Sequence, residues 1–112
     1  MTTYVEMLKE ELGMIPLNEL YNKEFKGVFV SDMVSDVMNG AEPQNLWVTV
    51  QTHKNIIAAA NLVDVSGIIV TRGKSVPQET LDIANRAEIT LFSTPLETYE
   101  LTVKLSQAGI GV

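Results

Sequence analysis

Apolar positions along the chain come in short runs separated by polar turns, and their spacing alternates between the strand and helix periods. Leu46-Trp47-Val48-Thr49-Val50 is rich in β-branched and aromatic residues and reads as a strand. The polar turn Gln51-Thr52-His53 follows, then a compact apolar helix from about Lys54 to Val63. Gly67 restarts an extended run, Ile68-Ile69-Val70, that ends in Thr71-Arg72-Gly73. This order is a βαβ unit, whose crossover is right-handed. Both polar turns then fall at the carboxyl edge of one parallel sheet, where α/β proteins bind ligands.

The flanking segments extend the same pattern. Thr2 to Gly13 predicts a short helix with Thr3 as cap, Glu6 as its capping-box partner, and Val5, Leu8 and Leu12 on one face. Met14-Ile15 before Pro16 reads as a brief strand, and Asn18 to Lys26 as a polar loop. Gly27 to Val30 is the next strand, followed by a turn or two of helix around Met33 to Met38 with Asp32 as its cap. Ala41 to Asn45 is a loop into the central unit. Pro77 is placed at a first helical position, with Ser75 or Val76 as cap and Leu81, Ile83, Ala84 and Ala87 facing inward. Ile89 to Phe92 is a further strand ending at Ser93-Thr94-Pro95. The last helix runs from about Leu96 to Ala108; Tyr99, Leu101, Val103 and Leu105 are its apolar candidates, with Leu101 and Leu105 the best inward pair. Repeated strand–turn–helix units predict a three-layer α/β/α sandwich with a mainly parallel sheet, in a single domain over residues 1–112.

Composition narrows the function. The net charge of −6, from 14 acidic and 8 basic residues, argues against a nucleic-acid binder, which needs a basic face. With no cysteine there are neither disulfides nor thiolate metal sites. No segment reads as a signal peptide, and no apolar run approaches the ~18 residues of a membrane span, so a soluble cytoplasmic protein is expected.

Candidate chemistry is sparse. Arg72-Gly73-Lys74-Ser75 approaches the end of a phosphate-binding loop, but Ile68, Ile69 and Val70 occupy the positions that would have to curl around phosphate. His53, the single histidine, reads either as a polar turn residue or as an anion contact. Lys54 and Arg72 join it at the same expected edge; two solvated side chains and a phosphate or carboxylate site both fit that arrangement. Asp32 and Asp36, four apart, read as capping and solvation before magnesium binding. Five methionines, Met33 and Met38 among them, are expected as core filling, and Trp47 as core or interface. Ser31 and Ser93 end strands without the glycines of a nucleophile elbow. No catalytic or metal constellation is assigned, and no cofactor.

Three blocks together resemble the small stand-alone DRTGG-domain proteins: Ser31 to Met38, Leu46 to His53, and Ser93-Thr94-Pro95-Leu96. The resemblance runs from about Val5 to Ala108. The naming motif is only partly present, with Thr52-His53-Lys54 where longer members carry Gly-Asp-Arg and Thr71-Arg72-Gly73 where they carry Thr-Gly-Gly. In larger relatives the domain accompanies phosphotransacetylase or CBS-type pyrophosphatase modules. The resemblance extends in fold to the N-terminal domain of HPr kinase/phosphorylase and, more distantly, to the uridine-nucleotide domain of Mur ligases. Some small members are encoded beside anaerobic redox genes.

The resemblance and the sheet edge together imply a non-catalytic regulatory or ligand-binding domain that self-associates, as a homodimer. A nucleotide or other anionic small molecule is the expected ligand, at Gln51, Thr52, His53, Lys54, Thr71, Arg72, Gly73, Ser93 and Thr94. The alternatives are a phosphotransferase or serine-kinase-related enzyme, and a pure scaffold in an anaerobic redox system.

Overall fold

The computed structural model describes residues 4–110. Its parallel core comprises β2 (Val28–Val30), β3 (Leu46–Thr49), β4 (Gly67–Val70) and β5 (Thr90–Ser93), and β1 (Ile15–Pro16) joins β5 antiparallel. The sheet order is β1-β5-β4-β3-β2. Every parallel neighbour is thus the next strand in sequence, and three successive crossovers of one hand must place their helices on the same face. Those helices are α2 (Val34–Gly40), α3 (Asn55–Val63) and α4 (Gln78–Arg86). Their Val37, Ile56, Ile57, Ala59, Ala60 and Ala84 pack with Trp47, Ile68, Val70 and Leu91.

The alternate strand residues Leu46, Val48, Ile69 and Phe92 point the other way, as a two-residue period requires. They are covered by Leu8 of α1 (Glu6–Glu10), by Leu101 and Leu105 of α5 (Thr98–Gln107), and by Phe25 from the long loop. The three-layer α/β/α architecture and the mostly parallel sheet read from the sequence are therefore present. Among the described residues, no helix is long and apolar enough to cross a membrane.

Several local expectations need correction. Pro77 caps α4 instead of opening it: its ψ of 144° is extended, Gln78 is the first helical residue, and Ser75 makes no cap bond. Asp32 does not cap α2. Its Oδ1 instead accepts the Thr49 hydroxyl at 3.2 Å and the Val50 N–H at 2.9 Å, tying the end of β2 to the end of β3. Met33 and Met38 are 64 % and 48 % exposed, not core, because Val37, with Val34 partly buried beside it, is what their short helix turns inward. Thr3 lies outside the described residues. The start of α1 is held from the loop, where Asn22 Oδ1 accepts the Glu6 N–H at 2.9 Å.

The segment read as a polar loop, 18–26, is a clamp across one end of the sheet. Asn18 donates to Asn85 Oδ1 at 2.9 Å and to the Ile89 carbonyl at 2.8 Å, and its own Oδ1 accepts the Leu91 N–H at 2.8 Å. Tyr21 donates its hydroxyl to Glu19 Oε2 at 2.7 Å. That bond to a carboxylate, with burial and the charges of Glu19 and Glu88 adding to it, pushes the Tyr21 phenol up from 10.0 to about 12. A pKa raised on folding stabilises the protein fully below the unfolded value and loses that contribution as pH climbs through the folded one. Stability should therefore fall between pH 10 and 12 in a manner that Tyr21→Phe abolishes. Phenolate absorbance should show a late-titrating step in the parent that Tyr21→Phe removes.

Candidate functional site

The carboxyl ends of β3, β4 and β5 share one edge of the sheet, as their parallel pairing dictates. The chain leaves β4 for α4 on one face and leaves β5 for α5 on the other. Such a divergence between adjacent parallel strands is where open α/β sheets form a crevice. Here the two departing turns bond to each other. The Arg72 N–H donates to the Leu96 carbonyl at 2.8 Å and the Gly73 N–H to the Thr94 carbonyl at 2.9 Å. The hydroxyls of Thr71 and Thr98 meet at 3.2 Å, and Arg72 Nε lies 3.2 Å from Glu97 Oε2.

Edge hydroxyls are consumed in the same way. Thr71 is buried; its N–H continues the ladder to the Thr49 carbonyl at 3.0 Å. Thr94 is also buried and accepts the Leu96 N–H at 3.3 Å. Ser93 lies within β5, aligned with Val70 on one side and Ile15 on the other. The Thr71 and Thr94 hydroxyls are taken up within the turns, and no buried side-chain polar atom among the described residues lacks a partner.

The turn after β3 is joined to α4 instead. Thr80, buried in the first turn of α4, donates to the Thr52 carbonyl at 3.0 Å, and Lys54 Nζ reaches Glu79 Oε1 at 3.0 Å. Gln51 donates to the Asp32 carbonyl at 3.1 Å. His53 is exposed, and its Nδ1 accepts the Asn55 N–H at 3.2 Å, serving the first turn of α3. The nine edge residues thus form two bonded sets: 71–73 with 93–94, and 51–54 with α2's approach and α4's start. The two cations, Lys54 and Arg72, each face a carboxylate across exposed pairs of the kind that contribute about 0–1 kcal/mol.

Of the residues that answer the edge groups, sequence reasoning missed Glu79, Thr80 and Glu97, and it gave Asp32 a helix to cap instead of β3 to hold. Thr80 alone carried a signal, since with Ala84 and Ala87 it falls at the i, i+4, i+7 spacing of an inward face. The sequence also gave no hint of the groove between α3 and α4. His53, Lys54 and Asn55 stand at its head, and Ile57, Ala58, Asn61, Ile83 and Ala87 line a volume of about 470 Å³. Among the described residues no group of three or more metal-ligating side chains converges.

The family model of the DRTGG domain matches residues 14–108 of the 112. The chain belongs to the DRTGG domain family. Among solved structures it is similar to the CBS and DRTGG domains of the regulatory region of Clostridium perfringens pyrophosphatase, determined with its activator diadenosine tetraphosphate. That match has a TM-score of 0.69 at 19 % identity and covers 89 % of this chain but 44 % of the other. The chain therefore spans less than half of that structure, and the likeness is one of fold. No curated protein matches significantly.

Within this DRTGG domain, Arg72 holds φ at +68° and Gly73 at +61°. The left-handed conformation suits glycine and costs a residue with a Cβ on the order of 1–2 kcal/mol. Arg72→Gly and Arg72→Ala both remove the guanidinium, so their difference reads the backbone alone. Urea denaturation should find the glycine variant more stable than the alanine variant by about 1 kcal/mol; equal stabilities would show that position 72 is unstrained.

Proposed function

We propose that this DRTGG domain is a non-catalytic regulatory module that binds a small anionic ligand of the nucleotide class and self-associates. The observation that carries the ligand reading is the α3–α4 groove, whose cationic and polar head at His53, Lys54 and Asn55 opens onto the apolar walls of Ile57, Ala58, Ile83 and Ala87. An apolar trough with a few convergent polar groups suits a ligand with a flat ring and a charged tail. Lys54 can exchange its exposed carboxylate partner for a phosphate at little cost. Arg72, beside the β4–β5 divergence, is a second cation on the same edge. The activator named for the Clostridium perfringens regulatory region is itself a nucleotide, which supports the ligand class. Ile68, Ile69 and Val70 are buried in β4, so a phosphate-wrapping loop ending at Lys74 has no backbone to form it, and this favours binding over phosphoryl transfer.

ATP and diadenosine tetraphosphate titrated into isotope-labelled protein should shift the amides of 51–58, 61 and 83–87. Lys54→Ala should weaken binding by roughly 1.5–3 kcal/mol, the range of a charged hydrogen bond. Arg72→Ala should weaken it by a comparable amount if the phosphate tail spans both turns. A saturating ligand at a hundred times its Kd should stabilise the fold by about 2.7 kcal/mol. Shifts confined to the 19–26 loop, or binding unaffected by Lys54→Ala, would place the ligand elsewhere.

A further inference from the structure

Asn61 lines the α3–α4 groove at the far end from Lys54, and it is the one polar residue from Ile56 to Val63. Asparagine is a poor helix former, because its amide competes for backbone groups. The amides of Asn18, Asn22 and Asn45 are held by the fold, donating at 2.9, 3.2 and 3.0 Å. Among the described residues the Asn61 amide makes no such bond, so its carbonyl and both N–H groups are open to a ligand. We propose that Asn61 selects the base of the bound nucleotide, and that the base is adenine. This rests on the ligand reading above and names the ligand within its class.

Lys54, Ala58 and Asn61 follow the i, i+4, i+7 spacing of one helix face. Lys54 and Asn61 are thus separated by about 10 Å along α3, a length that a nucleoside spans from its base edge to its first phosphate. At the head of the groove, His53 Nδ1 accepts the Asn55 N–H, which leaves Nε2 to carry the proton of the neutral ring and donate to a phosphate. Ala58 has only a methyl group, so a flat ring can lie close to the helix, with Ile57, Ile83 and Ala87 as its apolar surroundings.

One carboxamide offers an acceptor beside a donor. Adenine presents its amino donor beside an acceptor, N7 on one edge and N1 on the other, so a single amide satisfies either edge. Guanine presents two acceptors on one edge, O6 and N7, and three groups on the other, O6, N1–H and the amino group. One amide leaves at least one of them unpaired against apolar walls, which is costly. Charge adds to the dependence on the base. The net charge of −6 opposes a polyanion, and Lys54 already faces Glu79 at 3.0 Å, so affinity leans on what the trough covers.

Calorimetric titration of the intact chain with ATP and with GTP, whose tails are identical, isolates the base. ATP should bind about tenfold more tightly, within the range that a bidentate amide–base contact discriminates. Asn61→Ala should bring ATP to the affinity of GTP and leave GTP nearly unchanged. Lys54→Ala should weaken both alike and keep their ratio. Alanine is the better helix former at position 61, and circular dichroism checks that the variant keeps its helix content. Equal affinities in the parent, a preference for GTP, or an ATP preference that survives Asn61→Ala would overturn the role of Asn61 and leave the groove reading standing. Binding of neither nucleotide would overturn both.

Discussion

Burial of β3 and β4 on both faces is the constraint on which the rest of the structure depends. All four residues of each strand are buried, and no alternation of polar and apolar positions leaves either face to water. Parallel strands of this kind need a helical layer on each side. The uninterrupted order β2-β3-β4-β5 sends its three crossovers to one face, so the second face must be closed by what precedes and follows the repeat. The α1 and α5 helices and the 18–26 loop meet that need. The loop's polar residues, which would be unremarkable in solvent, bond to α4 and β5 and, through Asn22, hold the start of α1 beside the sheet.

The same geometry decides what the carboxyl edge can offer a ligand. Adjacent strands whose connections part to opposite faces leave a gap, and in this DRTGG domain the turns themselves span it with backbone hydrogen bonds. Thr49, Thr71, Thr80 and Thr94 spend their hydroxyls within the scaffold. Charged side chains stay accessible at the rim, Lys54 at the start of α3 beside Glu79 and Arg72 on its left-handed turn beside Glu97. The groove between α3 and α4 begins at the first of these, which couples the loop chemistry to an apolar surface.

Much of this was legible in the residues. Apolar runs at 46–50 and 68–70, and the compact helix between them, announced a doubly covered parallel sheet, and the spacing of Leu101 and Leu105 marked the inner side of α5. What escaped were features set by long-range partners. Asn18 looks like any loop asparagine until β5 and α4 come beside it. Asp32 precedes a helix in sequence but faces β3 in space, so local capping logic assigned it to the wrong partner. Met33 and Met38 are apolar at helical spacing, yet a seven-residue helix at the sheet margin buries only one position fully. The groove depends on how two helices lie side by side, a relation that no single segment encodes.

Amide hydrogen exchange, followed residue by residue with and without saturating ATP, tests the division of the edge most directly. The amides of Arg72, Gly73 and Thr94 should already be protected in the free protein and change little, because their partners are internal. Those at the head and along the walls of the α3–α4 groove should gain protection on binding. Rapid exchange at Arg72 and Gly73 in the free protein, slowed by ATP, would contradict the account, because the ligand would then be closing a crevice that the turns had left open.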